Sequence, residues 1–192
     1  MSNLRLFTLH LELVAATVEL ATAEIDDLAT FARLLDVPRP TRWPPPLNDQ
    51  RSQQSFLASL KKAGPGDHGW HLWFCIRQEP RGLLGLAGFK GIPRNGLVEV
   101  GYSMLEAHQR NGYCTEAVQA LIGWAFEHPE LKAVIGHTLP GLTPSIRVME
   151  KCGFVFVGDG PIEDGMQTIR YELELETLKV NRTFSVEGIC GG

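Results

Sequence analysis

Nine consecutive residues, Gln109-Arg110-Asn111-Gly112-Tyr113-Cys114-Thr115-Glu116-Ala117, lead out of a strand pattern and open a helix pattern. Such a junction does chemistry through its backbone. The first amides of a helix lack intrahelical acceptors and carry the positive end of the macrodipole, which suits a phosphate group. Gly112 permits close backbone approach and dihedrals closed to other residues. Cys114 is small enough not to block a pyrophosphate, and Gln109 and Arg110 bring side-chain donors. The plainer reading of Gly112 is an ordinary helix-start glycine. No Gly-Lys-Ser/Thr follows, so a Walker loop is excluded. No second and third glycine stand at the spacing of a dinucleotide fold.

Upstream, Glu99 interrupts an otherwise apolar strand. A carboxylate there needs a partner or a purpose: a general base, or a hydrogen bond that holds strands together. Asp159, Glu163 and Asp164 fall in a loop after the strand that starts at Phe154, where solvated charge is the ordinary reading. His68, His71, His108, His128 and His137 show no pairing at metal-ligand spacing, and the four cysteines match no zinc pattern, so no metal is expected. Cys114, beside a helix start, is either an activated thiol or a small packed residue.

The elements that must position these residues follow from periodicity and turn chemistry. Leu9–Val14 alternates as a first strand. Thr22–Leu35 has one apolar helical face in Ile25, Leu28, Phe31, Ala32 and Leu35. Prolines 38, 40 and 44–46 force an extended connection around Trp43. A second helix spans Asp49–Lys62, ended by Gly64-Pro65-Gly66. Trp70–Arg77 and Leu83–Lys90 form a hairpin about Glu79-Pro80-Arg81-Gly82, and Pro93-Arg94-Asn95-Gly96 turns into a third strand, Leu97–Leu105. After the loop comes a helix with Cys114, Val118, Leu121, Ile122 and Ala125 at helical spacing. Then come a strand at Lys132–Thr138, a short helix at Pro144–Lys151, and strands at Phe154–Val157 and Thr168–Leu175. Tight turns imply antiparallel pairs, and the strand–helix–strand unit from Leu97 to Thr138 implies a parallel pair with a right-handed crossover. The fold class expected is α/β, with a mixed, mostly antiparallel central sheet and flanking helices.

With 192 residues, 44% hydrophobic and 21% charged, the composition is that of a soluble globular chain, expected as one domain over 1–180 with a flexible tail at 181–192. A net charge of −4 argues against a nucleic-acid surface. No apolar run approaches the roughly 20 residues that span a bilayer, and the first residues lack a signal-peptide pattern. A reducing cytoplasm is the expected location, with Cys75, Cys114, Cys152 and Cys190 as thiols.

Gln109, Gly112 and Cys114 occupy the fixed positions of the pattern Gln/Arg-x-x-Gly-x-Gly/Ala, with Cys in place of the last residue. This resembles the GNAT acetyltransferase superfamily. The runs Val98-Glu99-Val100-Gly101-Tyr102 and Pro144-Ser145-Ile146-Arg147-Val148-Met149-Glu150-Lys151-Cys152-Gly153-Phe154 look like its ribosomal-protein N-terminal acetyltransferase branch, RimJ/RimL-like. The resemblance implies the GNAT fold, in which the strand before the loop splays from the next parallel strand, with acetyl-CoA as acyl donor and no metal. It implies that Met104 offers backbone hydrogen bonds to pantetheine, with Ser103 adjacent, and that the Tyr102 N–H points at the acetyl carbonyl. Backbone amides of Arg110, Asn111, Gly112, Tyr113, Cys114 and Thr115 would hold the pyrophosphate, with Gln109 beside them. Ser145 matches a position that contacts the cofactor in this branch; it is a candidate proton donor to the departing thiolate, or a helix-cap serine. Met149 stands where many members carry the acid tyrosine, and Leu142 where many carry Asn. Glu99 becomes the first candidate base. The Trp43 connection would either line the acceptor groove or pack in the core.

The function so implied is acetyl transfer to a primary amine, a protein N-terminus or a small molecule, by direct attack in a ternary complex. The alternative is a non-catalytic CoA-binding sensor, supported by Met149 and Leu142. Neither nucleic acid nor membrane is expected as a partner, and both monomer and homodimer occur in such folds.

Overall fold

The computed structural model describes residues 3–46 and 48–176; the tail expected at 181–192 lies outside the described residues. The chain divides into two compact units, Met1–Ile92 with Val100–Leu121, and Pro93–Glu99 with Ile122–Gly192.

The first unit contains β1 (Arg5–Phe7), β2 (Leu11–Ala15), α1 (Val18–Asp26), α2 (Leu28–Leu34), α3 (Gln50–Lys62), β3 (Leu72–Arg77) and β4 (Gly82–Phe89). It also holds the end of β5 (Leu97–Met104) and the start of α4 (Tyr113–Ala125). Strands β1 to β5 pair antiparallel in sequence order, the last ladder running from Gly85↔Met104 to Phe89↔Val100. Strand β2 is buried along its whole length, including Glu12. That buried carboxylate is matched by two guanidiniums, those of Arg5 and Arg81, the latter at 2.7 Å. The core below the sheet gathers Val14, Leu20, Phe31, Leu35, Phe74, Ile76 and Leu86, with Trp43, Phe56 and Leu60 packed on it.

Two features here differ from the expectation. The single helix Thr22–Leu35 is two helices, because Asp27 is extended (φ −151°, ψ 95°) and caps the second. Its carboxylate accepts from Ala29 N at 3.0 Å and Thr30 Oγ1 at 2.7 Å, the local bonding by which Asp competes with a helix interior. Strand β1 was not expected at all; three residues with two exposed give no periodicity to find.

The second unit contains the start of β5, the end of α4, β6 (Ala133–Thr138), α5 (Thr143–Lys151), β7 (Val155–Glu163) and β8 (Met166–Glu174). β5 and β6 pair parallel, the one parallel pairing among the described residues. β6 pairs antiparallel with β8, and β8 with β7. Val134, Met149, Phe154, Tyr171 and Leu173 are buried here. The expected loop at Asp159–Asp164 is a correction: β7 runs on through Asp159 to Glu163, and Asp164 sits in the turn with φ 49°. The extra length is mostly exposed and interrupted by Gly158, Gly160 and Pro161, so it carries no strand signature. Two register shifts, at Phe156/Gly158 and Asp159/Ile162, bend it. Among the described residues, eight strands and five α-helices thus give the mixed, mostly antiparallel α/β architecture expected.

Candidate active site

The parallel ladder covers Leu97↔Ala133, Val98↔Val134 and Glu99↔Ile135, and stops there. Beyond it β6 continues through Gly136–Thr138 on β8, while β5 continues through Val100–Met104 on β4. Gln109 folds back on the end of β5, its side-chain amide donating to the Met104 carbonyl at 3.1 Å. The Gln109 donor therefore braces the turn, and one lone pair of the Met104 oxygen is occupied. Asn111 Nδ2 donates to the Gln109 carbonyl at 3.0 Å.

Arg110 and Gly112 both have left-handed φ, 64° and 84°. Only glycine takes that conformation without strain, and a Cβ at Gly112 would meet nothing within 4 Å. The glycine is thus required by its dihedral, and the space above it is open. Helix α4 closes its first backbone rung with Glu116 N donating to Gly112 O at 3.0 Å. The amides of Tyr113, Cys114 and Thr115 precede that rung, at the positive end of the helix.

Glu116 holds this helix start in place. Its carboxylate accepts from Thr8 Oγ1 at 2.6 Å and His10 N at 2.8 Å, and lies 3.0 Å from His10 Nδ1. Partial burial alone would push its carboxyl up; the Thr8 hydroxyl and the His10 backbone and ring outweigh this and hold it below the ordinary value. Ser103, adjacent to Met104, uses its hydroxyl to bond the Pro46 carbonyl, which ties the Trp43 connection to β5. Tyr102 is half-buried, opposite Ala87 in the ladder.

The Trp43 connection packs in the core. Its ring lies 5.7 Å from Phe31 and 6.5 Å from Phe74. It also lines a cavity of about 450 Å³ with Glu24, Asp26, Asp49 and Gln53. Glu24 is buried and accepts from Trp43 Nε1 at 2.9 Å and Asn48 Nδ2 at 3.1 Å. Desolvation raises its carboxyl above the ordinary value, against hydrogen bonds from Gln53, Trp43 and Asn48. Glu24 escaped sequence analysis, although its i, i+4 relation to Leu20 puts it on the buried stripe of α1.

Glu99 and Ser145 lie in the second unit. Glu99 Oε1 is 3.1 Å from Nδ1 of His137, with both side chains largely buried at 18% and 8% exposure. The contact has ion-pair distance without hydrogen-bond direction, so Nδ1 remains a buried nitrogen with no hydrogen bond. Donor atoms of Glu99, His137 and Glu163 all lie within 4.8 Å of one another. His137 had no partner in the sequence because its neighbours are 38 and 26 positions away; parallel register and β7 bring them in. Ser145 is half-buried and is not a helix cap. It is the third residue of α5, whose cap position is Leu142, with no side-chain bond. Met149 is fully buried.

Cys75, Cys114 and Cys152 are thiols outside any disulfide. Burial pushes the Cys152 thiol up to about 12. No described helix is long and apolar enough to cross a membrane.

The acetyltransferase (GNAT) domain family matches residues 17–155. The chain is 32% identical over 91 residues to the uncharacterized N-acetyltransferase YjdG of Bacillus subtilis, a match spanning 47% of this chain and 54% of that one. It thus spans about half the length of that curated relative. The fold is similar to that of the ribosomal-protein-S5-alanine acetyltransferase from Vibrio fischeri (17% identity, 90% and 97% of the chains, TM-score 0.64). It is also similar to that of the microcin C7 self-immunity acetyltransferase MccE, solved with acetyl-CoA and AMP (18%, 88% and 94%, TM-score 0.62). A strand that ends in a left-handed turn and a helix start, inside a family match covering most of the sequence, places the chain in the GNAT acetyltransferase family.

Proposed function

We propose that this chain is an N-acetyltransferase of the RimJ/RimL-like branch, moving acetyl from acetyl-CoA to a primary amine by direct attack in a ternary complex. The observation that carries the reading is the turn at Arg110–Gly112. Two left-handed residues, one of them a glycine under open space, present the first-turn amides of α4. Those amides, from Arg110 to Thr115, hold the pyrophosphate. Met104 and Ser103 offer backbone to pantetheine; the second lone pair of the Met104 carbonyl serves this beside the Gln109 bond. The Tyr102 N–H takes the charge that develops on the acetyl oxygen, a contribution of about 10²–10³ in rate for one preorganised donor.

The acceptor amine is mostly protonated at neutral pH, so a base must free its lone pair. Glu99 takes that role, and its neighbour His137 supports a proton-handling purpose over a purely structural one. Ser145, half-buried on α5, is the proton donor to the departing thiolate in this reading. The cavity bounded by Trp43, Glu24, Asp26 and Asp49 supports an amine acceptor, because carboxylates favour an ammonium group. The buried thiols fit a reducing cytoplasm. The β5 strand and α4 helix run unbroken from one unit into the other, which favours one domain over 1–180. The non-catalytic sensor is not favoured, because named relatives are N-acetyltransferases.

The test is calorimetry with CoA, then thiol release from acetyl-CoA over a panel of phenethylamine, spermidine, amino acids and peptides with N-terminal Ala or Ser. Binding together with amine-dependent release is expected. CoA binding without release for any amine would return the sensor reading, and no CoA binding would overturn both.

A further inference from the structure

The acetyl-transfer reading gives the amine a base in Glu99 but no onward path for the proton. The surroundings of His137 provide one. Its side chain is 8% exposed and its Nδ1, buried and without a hydrogen bond, lies 3.1 Å from Glu99 Oε1. Glu163, exposed at the end of β7, brings a carboxylate within 4.8 Å of the donor atoms of both. The second register shift of β7 sets Gly160 and Pro161 against Thr168 of β8. A Cβ on Gly160 would fall 2.7 Å from His137 Cδ2 and 2.5 Å from Thr168 Oγ1. The bulge thus lays bare backbone against the imidazole, and bulges recur where a side chain must be re-aimed beside an active site. The other charges beside the ring come from β8: Arg170, the register partner of His137, and Glu172, which holds Arg170 at 2.6 Å.

We propose that Glu99, His137 and Glu163 form a relay that carries the acceptor's proton from Glu99 through the His137 imidazole to Glu163 and so to water. The proposal rests on the acetyl-transfer reading with Glu99 as base. An ammonium acceptor gives one N–H proton to the Glu99 carboxylate and becomes a free amine. Glu99 passes that proton to Nδ1 of neutral His137. The imidazolium passes the same proton on from its ring nitrogen to Glu163, directly or across one water, so that the ring keeps its tautomer, and Glu163 releases the proton to solvent. The amine nitrogen then bonds to the acetyl carbon, and the carbon–sulfur bond breaks with its electron pair on sulfur. The second N–H proton ends on the thiol. Glu99, His137 and Glu163 finish each turnover as they began. His137 and Glu163 touch neither substrate nor cofactor in this scheme; they position and discharge Glu99.

Three variants of the full chain test it: His137→Gln, Glu163→Gln and Gly160→Ala, the last moving the ring without changing a charge. With acetyl-CoA and the panel amine of highest turnover, His137→Gln is expected to lower kcat about 10- to 100-fold, below the usual range for a general base itself. KM for acetyl-CoA should stay within about twofold, and the acid limb of the pH profile should move. Gly160→Ala should follow in the same direction, and Glu163→Asp should recover more turnover than Glu163→Gln. Independently of any acceptor, long-range ¹⁵N–¹H spectra at a fixed pH report the His137 ring nitrogens. Their shifts should change in Glu99→Gln and in Glu163→Gln, since each replaces a carboxylate beside the ring.

Ring-nitrogen shifts unmoved in both, or a wild-type pH profile in His137→Gln, overturn the relay. A profile that changes on adding EDTA would assign the cluster to a cation and overturn it too. Failure of the acetyl-transfer reading is separate: it shows as wild-type protein that neither binds CoA nor releases thiol.

Discussion

Replacing Gly112 separates three effects that one residue combines. Its φ of 84° costs an L-residue about 1–2 kcal/mol, and Asn tolerates this region better than most. A Cβ there meets no atom within 4 Å, so no protein clash is added. Gly112→Asn and Gly112→Asp therefore share shape and strain and differ in one charge. At about 5 Å from a phosphate oxygen, one unit charge is worth ~0.8 kcal/mol in water-like surroundings and ~3 kcal/mol at an effective dielectric of 20. The Asp variant should then bind CoA about 4-fold to a few hundred-fold more weakly than the Asn variant, with a gap that narrows as salt rises. Both should lose similar melting temperature, roughly 2–8 °C at this chain length. Calorimetry with CoA at two salt concentrations, alongside thermal melts, measures each part. Equal CoA affinity in the Asn and Asp variants would refute the placement of the pyrophosphate on this turn.

Three further outcomes follow. Glu24 has a raised carboxyl in the fold because burial penalises its charge. The folded form therefore binds its proton more tightly than the unfolded form, so this group's contribution is fullest below its unfolded value and is lost as pH rises through and above 4.5; urea titrations of wild type minus Glu24→Gln should show that falling difference, and a flat one would contradict it. Cys152, with its thiol at about 12, should resist iodoacetamide at pH 8 in the native chain and react after unfolding, as read by peptide mass spectrometry; rapid native labelling would contradict the burial. Glu99→Gln should depress turnover by about 10²–10⁴ and remove a limb of the pH profile, with CoA affinity unchanged; a loss confined to melting temperature would make Glu99 structural.

What could be seen in the sequence was whatever leaves a local trace. The hairpin from β3 to β4 announces itself through Glu79-Pro80-Arg81-Gly82, and the left-handed Gly112 through its place between strand and helix. Asp27 hid because an acidic residue in an amphipathic pattern reads as a solvent position, whereas its carboxylate here caps a new helix. The far half of β7 hid because it is exposed and broken by bulges. Glu24 and Glu116 look like surface carboxylates until the Trp43 connection and the β1–β2 turn fold onto them. The pairing of Glu99 with His137 is set by strand register, which no spacing along the chain encodes. Local chemistry thus made the left-handed turn at Gly112 legible, while the contact of Glu99 with His137 depended on long-range pairing.

A crystal structure of the chain grown with CoA tests the central claim most directly. The account predicts the pyrophosphate oxygens within hydrogen-bond distance of the amides between Arg110 and Thr115, above the bare face of Gly112. A cofactor seated elsewhere, with those amides bonded to the protein's own carbonyls, would contradict it.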